Sequence, residues 1–193
     1  DVSGEEWLAF LKEIMTYCEY DVIILPDLPR RPTEKFRQKL LETTATVVAT
    51  GCTFREDPEL LRELFGVRLA EQITPIRSTY VATEPKEIFK SLPLRDWVYL
   101  DKIAYRITLE DAQGFLPLIG YAPYGPPERA FGHKRTGDDM AAVKGKKNIY
   151  LPWQIGTLYE TQGYEDFKQI FIDLLKSVRP IQRPFITDAP GCA

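Results

Sequence analysis

Apolar residues recur at two spacings along the chain, and the alternation between them predicts its elements. In Tyr164–Val178 the residues Phe167, Ile170, Phe171, Leu174, Leu175 and Val178 fall three and four apart, the mark of an amphipathic helix lying on a core. Near the start, Trp7, Leu8, Leu11, Ile14, Met15 and Cys18 form a similar face, and Ser3-Gly4-Glu5-Glu6 ahead of them has capping-box spacing. Thr33 is placed to cap a helix carrying Phe36, Leu40 and Leu41 inward. Asp57-Pro58 opens a short helix with Leu60, Leu61, Leu64 and Phe65, and Gly66 stands where a left-handed cap belongs.

Between these helical stretches lie continuous apolar runs. Tyr20–Leu25 is entered through Asp21 and ended by Pro26-Asp27-Leu28-Pro29, Ala45–Thr50 is closed by Gly51, and Asn148–Leu151 is stopped by Pro152. A run such as Val22–Leu25 predicts a strand buried on both faces, as in a parallel sheet. The order helix, strand, helix, strand implies right-handed crossovers and an α/β domain with a mostly parallel sheet.

From Val67 to Tyr124 the pattern changes. Val67–Val81, Trp97–Leu109 and Phe115–Tyr121 are β-prone with partial alternation, and Pro85–Phe89 reads as one short helix among them. An antiparallel β-rich insertion over about 67–124 is therefore expected within a single domain spanning 1–178. Gly125–Gly145 is the least regular stretch, and a loop that long in a compact domain is expected to be either functional or disordered. The proline-rich segment 179–193 predicts an extended tail or linker.

Composition narrows the possible roles. With 193 residues, 44% of them hydrophobic and 27% charged, the chain suits one globular domain. A formal net charge of −3 gives no basic footprint for nucleic acid. No apolar run approaches the roughly 18 residues of a membrane span. The cysteines at 18, 52 and 192 are odd in number and lack any CxxC pair, so they read as reduced thiols of a cytoplasmic protein. The charged start gives no signal peptide. An opening helix with no strand before it predicts a piece of a longer polypeptide.

Several residues suggest chemistry. Cys52, in Thr50-Gly51-Cys52-Thr53, directly follows a strand and has the outline of a nucleophile elbow. A catalytic thiol needs a base and tight backbone on both sides, and Thr53-Phe54 supplies no small residue. The one imidazole in the chain is His133, in Phe131-Gly132-His133-Lys134-Arg135. A single histidine with no Cys or carboxylate at ligand spacing makes no metal site. Glu128, after Pro126-Pro127, suits a sugar hydroxyl or a partner's arginine. The adjacent pairs Glu56-Asp57, Glu110-Asp111 and Asp138-Asp139 lie on apparent loops and are read as solvation and capping, because glycosidic carboxylates must flank one bond. Gly120, Gly125 and Gly132 lack the helix that a phosphate loop requires, so no cofactor is expected. Lys144-Gly145-Lys146-Lys147 reads as a turn rim.

The run Leu151–Tyr159 sets Trp153 and Tyr159 beside Gln154 and Thr157 at the mouth of the expected sheet. Aromatics with hydrogen-bonding neighbours suit a sugar ring or a protein interface, and packing under the last helix is equally open to them.

The succession Val22–Pro26, Val47–Gly51, Pro126-Pro127-Glu128 and Ile149–Trp153 resembles the β-galactosidase trimerisation domain, in the version attached to hypothetical glycosyl hydrolases of bacteria. The resemblance covers most of Tyr20–Val178 and implies a class I glutamine-amidotransferase-like, flavodoxin-like three-layer sandwich. It also implies that the catalytic carboxylates sit in a preceding TIM barrel and that this domain assembles the oligomer around it. The amidotransferase pattern Gly-x-Cys-x-Gly is broken here at its last glycine, where Phe54 follows Cys52-Thr53, and the histidine–glutamate pair expected near the end is missing after Trp153. The trimerisation pattern is departed from at Thr43-Thr44, in place of Gly-Gly, and its first strand is missing or lies upstream of Asp1.

The resulting expectation is a non-catalytic accessory domain of a carbohydrate-active enzyme, with an upstream barrel, copies of itself and a carbohydrate as partners. Its binding residues would be Trp153, Gln154, Tyr159, Glu128 and His133, with none catalytic and none holding metal. Two other readings compete: a free-standing thiol hydrolase or amidotransferase relic using Cys52 with His133, and a monomeric sugar-binding module using Trp153.

Overall fold

The computed structural model describes residues 20–73, 79–100, 104–120 and 134–179. Its elements are β1 (Val22–Pro26), α1 (Glu34–Glu42), β2 (Thr46–Thr50), α2 (Pro58–Phe65), β3 (Val67–Ile73), β4 (Thr79–Ala82), β5 (Trp97–Leu100), β6 (Ala104–Leu109), β7 (Gln113–Gly120), β8 (Lys134–Lys144), β9 (Ile149–Leu151), α3 (Ile155–Gln162) and α4 (Glu165–Val178). The opening amphipathic segment, Glu128, His133, Cys18, Cys192 and the tail from Pro180 lie outside the described residues.

Seven strands form one sheet in the order β1-β2-β9-β8-β7-β4-β5, and β3 pairs with β6 in a separate ribbon. Pairing is parallel through β1-β2-β9 and antiparallel from β9 to β5. The expected parallel core thus occupies one end of a mixed sheet. Most of the predicted insertion is continuous with that sheet, and only the β3–β6 ribbon stands apart from it.

The fully apolar strands explain this centre. Thr46–Thr50 is buried throughout, with Val48 facing one core cluster and Val47 and Ala49 the other. Helices α3 and α4 supply Leu158, Phe167, Ile170 and Leu174 to the first cluster, while α1 and α2 supply Phe36, Leu40, Leu60, Leu61, Leu64 and Phe65 to the second. Side chains alternate across a strand, so the two helix pairs cover opposite faces.

Helix ends follow local chemistry. Asp57 caps α2, accepting from the Leu60 amide at 3.2 Å, and Gly66 ends it at φ 67°, where a side chain would be strained. Thr33 occupies the cap position of α1 without a side-chain bond to the helix.

Several expectations need correcting. Leu41 is exposed, because only Phe36 and Leu40 of α1 reach the sheet. Among the described residues β1 is an edge strand rather than one buried on both faces, and Ile24 is 48% exposed. Pro85–Phe89 makes hydrogen-bonded turns, with the Ile88 amide on the Pro85 carbonyl at 3.1 Å, and does not extend to a helix. Lys134–Lys144, expected within a loop, is the longest strand among the described residues, and Asp139 lies within it where its register with β7 shifts. Asp139 pairs with Arg106 at 3.0 Å.

Candidate functional site at the strand ends

Three parallel strands end together, and the residues just past them meet. Asp27 follows β1, Gly51 and Cys52 follow β2, and Gln154 lies between β9 and α3. The Asp27 carboxylate gathers all three loops. Its Oδ1 accepts the Cys52 amide at 2.7 Å and the Cys52 thiol at 3.0 Å, and its Oδ2 accepts the Gln154 side-chain amide.

Backbone geometry permits the convergence. Asp27, Gly51 and Phe54 take positive φ of 47°, 64° and 60°. At Gly51 a Cβ would stand 2.2 Å from Asp27 Oδ1, so glycine is required there for space as well as for conformation. The Gly51 amide reaches the Leu151 carbonyl at 2.9 Å, and its own carbonyl accepts the Tyr150 hydroxyl at 2.6 Å. Thr53 ties the same turn down from inside, donating to the Thr50 carbonyl at 2.7 Å and accepting the Leu28 amide at 2.9 Å. Left-handed non-glycine residues are costly, and such strain concentrates at functional sites.

The ribbon approaches from the side. The Tyr105 amide of β6 donates to the Pro152 carbonyl at 2.7 Å, its phenol lies by Cys52, and the Arg55 guanidinium stands 5.9 Å from its ring centre.

Electrostatics hold Cys52 as a thiol. Burial, then its bond to the Asp27 carboxylate, then that carboxylate's charge push it up to about 11. Burial, followed by the neighbouring Cys52, also raises the Tyr105 phenol. An activated cysteine sits in electropositive surroundings and ionises early. Cys52 has the opposite environment, and its thiol acts as a hydrogen-bond donor. The elbow-like spacing therefore places a cysteine at the strand ends as a partner of the Asp27 carboxylate.

The predicted site residues separate. Gln154 joins the cluster. Tyr159, on the first turns of α3, is 41% exposed. Trp153 takes the packing role open to it: it is completely buried, donates its indole N–H to the Ala141 carbonyl at 2.6 Å and meets Phe167 edge-on at 5.6 Å. The stretch read as an aromatic loop turns helical at Ile155. Sequence reasoning missed Asp27 and Tyr105. Asp27 was within reach, because a carboxylate one residue past a parallel strand lies at the end of the sheet where ligands dock. Tyr105 had no such signal, since its place depends on how the ribbon folds over.

Among the described residues no cluster of His, Cys, Asp and Glu is arranged to hold a metal ion. Among those residues, too, no helix is long and apolar enough to cross a membrane.

No family model and no curated protein matches the chain. Solved structures do. An α-L-fucosidase isoenzyme 2 from Paenibacillus thiaminolyticus is 20% identical with a TM-score of 0.61, over 84% of this chain and 26% of that one. A GH42 β-galactosidase from G. stearothermophilus is 19% identical with a TM-score of 0.53, over 84% of this chain and 22% of its own. A ThuA-like protein from Bacteroides uniformis is 16% identical with a TM-score of 0.58, over 90% of this chain and 83% of that one. The chain spans about a quarter of the length of the two glycoside hydrolases it matches. At these identities the likeness is one of fold: a mixed α/β domain of the kind found within glycoside hydrolases and in a ThuA-like protein.

Proposed function

We propose that this chain is a non-catalytic accessory domain of a larger carbohydrate-active enzyme, working in oligomerisation and lining part of its carbohydrate site. The observation that carries the reading is Cys52, which directly follows β2 at the strand ends and is kept a thiol by burial and by its bond to Asp27. The partial span of two glycoside hydrolases supports the same view. On this reading the mixed sheet, with α1 and α2 on one face and α3 and α4 on the other, is a flavodoxin-like, class I glutamine-amidotransferase-like sandwich that follows a TIM barrel.

Gln154 and Tyr159 would face the carbohydrate or the neighbouring subunit, joined by Glu128 and His133 from the segment outside the described residues. Trp153 would fix their loop from beneath. The match to most of a ThuA-like protein favours a second reading, a free-standing domain.

The full-length reading frame tests the proposal. An upstream stretch of about 250 residues with alternating strands and helices fits a barrel and supports it. A start codon and a stop codon just outside the segment overturn it.

A further inference from the structure

An apolar groove of about 250 Å³ lies between the C-terminal part of β1, the start of α3 and the first half of α4, and Ile24, Pro26, Tyr159, Phe167, Phe171 and Ile172 line it beside Thr50 and Lys168. Val22 and Ile24 point to this face of the sheet, whereas Ile23 and Leu25 point to the face covered by α1. Such a groove at a sheet edge leaves apolar area in water at roughly 25 cal/mol per Å².

We infer that the segment Trp7–Cys18 is the occupant of this groove, seating its apolar face against β1 and α4. The chain outside the described residues ends at the right corner. Arg179, just past α4, donates to the Asp21 carbonyl at 3.0 Å, so the end of α4 and the start of β1 are pinned together. Only Glu19 and Tyr20 separate Cys18 from Asp21, and a helix joined to a strand by so short a connection must turn back alongside it. On the other face Phe36 and Leu40 of α1 already pack with Leu25. The groove is the remaining place.

Length and pattern fit as well. Twelve helical residues span roughly 18 Å, and the five residues of β1 span roughly 16 Å. The stripe Trp7, Leu8, Leu11, Ile14, Met15, Cys18 would then lie along the groove, Trp7 toward Pro26 and Tyr159 and Cys18 toward Asp21.

Disulfide trapping in the full chain tests this, with Cys18, Cys52 and Cys192 changed to serine and Leu11→Cys paired with Ile24→Cys. A bond within one chain is expected, forming at least tenfold faster than for Leu11→Cys paired with Glu42→Cys on the opposite face. Equal rates overturn the inference. A bond formed only between two chains also overturns it, by making a second copy the occupant. A measurement on the unsubstituted chain stands apart from any folding defect of these variants: Cys18 should be alkylated at least tenfold more slowly in the native protein than in urea. Equal rates there would remove the segment from any groove.

Discussion

The side chain of Asn148 bonds to the amide of Val47, 101 residues earlier, at 2.9 Å. Its own amide donates to the Leu64 carbonyl at 3.0 Å, so one buried side chain ties the start of β9 to β2 and to the end of α2. Asn148→Ala would leave a buried donor and a buried acceptor without partners. A loss of about 2–4 kcal/mol is expected, read as a lower urea midpoint with an unchanged slope.

Cys52 should resist alkylation at neutral pH, followed at its own peptide by mass spectrometry. Its rate should climb only toward pH 11, the region where its thiol ionises. Asp27→Asn should lower the thiol's ionisation range without restoring the ordinary value, because burial is the larger cause. Rapid labelling at pH 7 would revive the thiol-hydrolase reading.

The same group makes stability depend on pH. The folded thiol holds its proton to about 11, against 9.0 when unperturbed. The folded state therefore binds more protons than the unfolded one between these limits, and stability falls as pH rises through them. Replacing Cys52 with serine should flatten that part of a melting-temperature profile.

Gly51→Ala forces a methyl group onto the Asp27 carboxylate at a backbone conformation that favours glycine. Destabilisation of about 1–3 kcal/mol is expected. Cys52 should become more reactive at the same time, since its acceptor must move.

Asp173, buried on α4, accepts the Ser91 amide at 2.9 Å and the Ser91 hydroxyl at 2.8 Å, which fastens the turns after Pro85 to the helix. Ser91→Ala removes one bond and should cost about 1 kcal/mol, and Asp173→Ala should cost about 2–3 kcal/mol. Thermal unfolding of the two variants distinguishes this order from its reverse.

What could be read in advance was whatever local chemistry decides. Asp57 and Gly66 bracket α2 by capping alone, and the stripe Phe167, Ile170, Leu174 specifies the buried face of α4. Strand Lys134–Lys144 was not legible, because its charged first half has little intrinsic preference and its extended form comes from pairing with β7. The edge position of β1 was hidden for a related reason: Val22–Leu25 is apolar enough for a central strand, and only the sheet order exposes Ile24. At the candidate site the elbow outline of Cys52 was visible, but its partner Asp27 belongs to another loop. Whether the thiol is activated or quenched depends on that meeting.

The placement of β9 between β2 and β8 bears on how the protein emerges during synthesis. Until residues 149–151 leave the ribosome, β2 has one unpaired side and the antiparallel strands have no parallel edge to join. Closure waits for residues 149–151, and such long-range pairing is slow. A nascent chain stalled before Asn148 would carry two open sheet fragments, each able to pair with a neighbour on the same polysome.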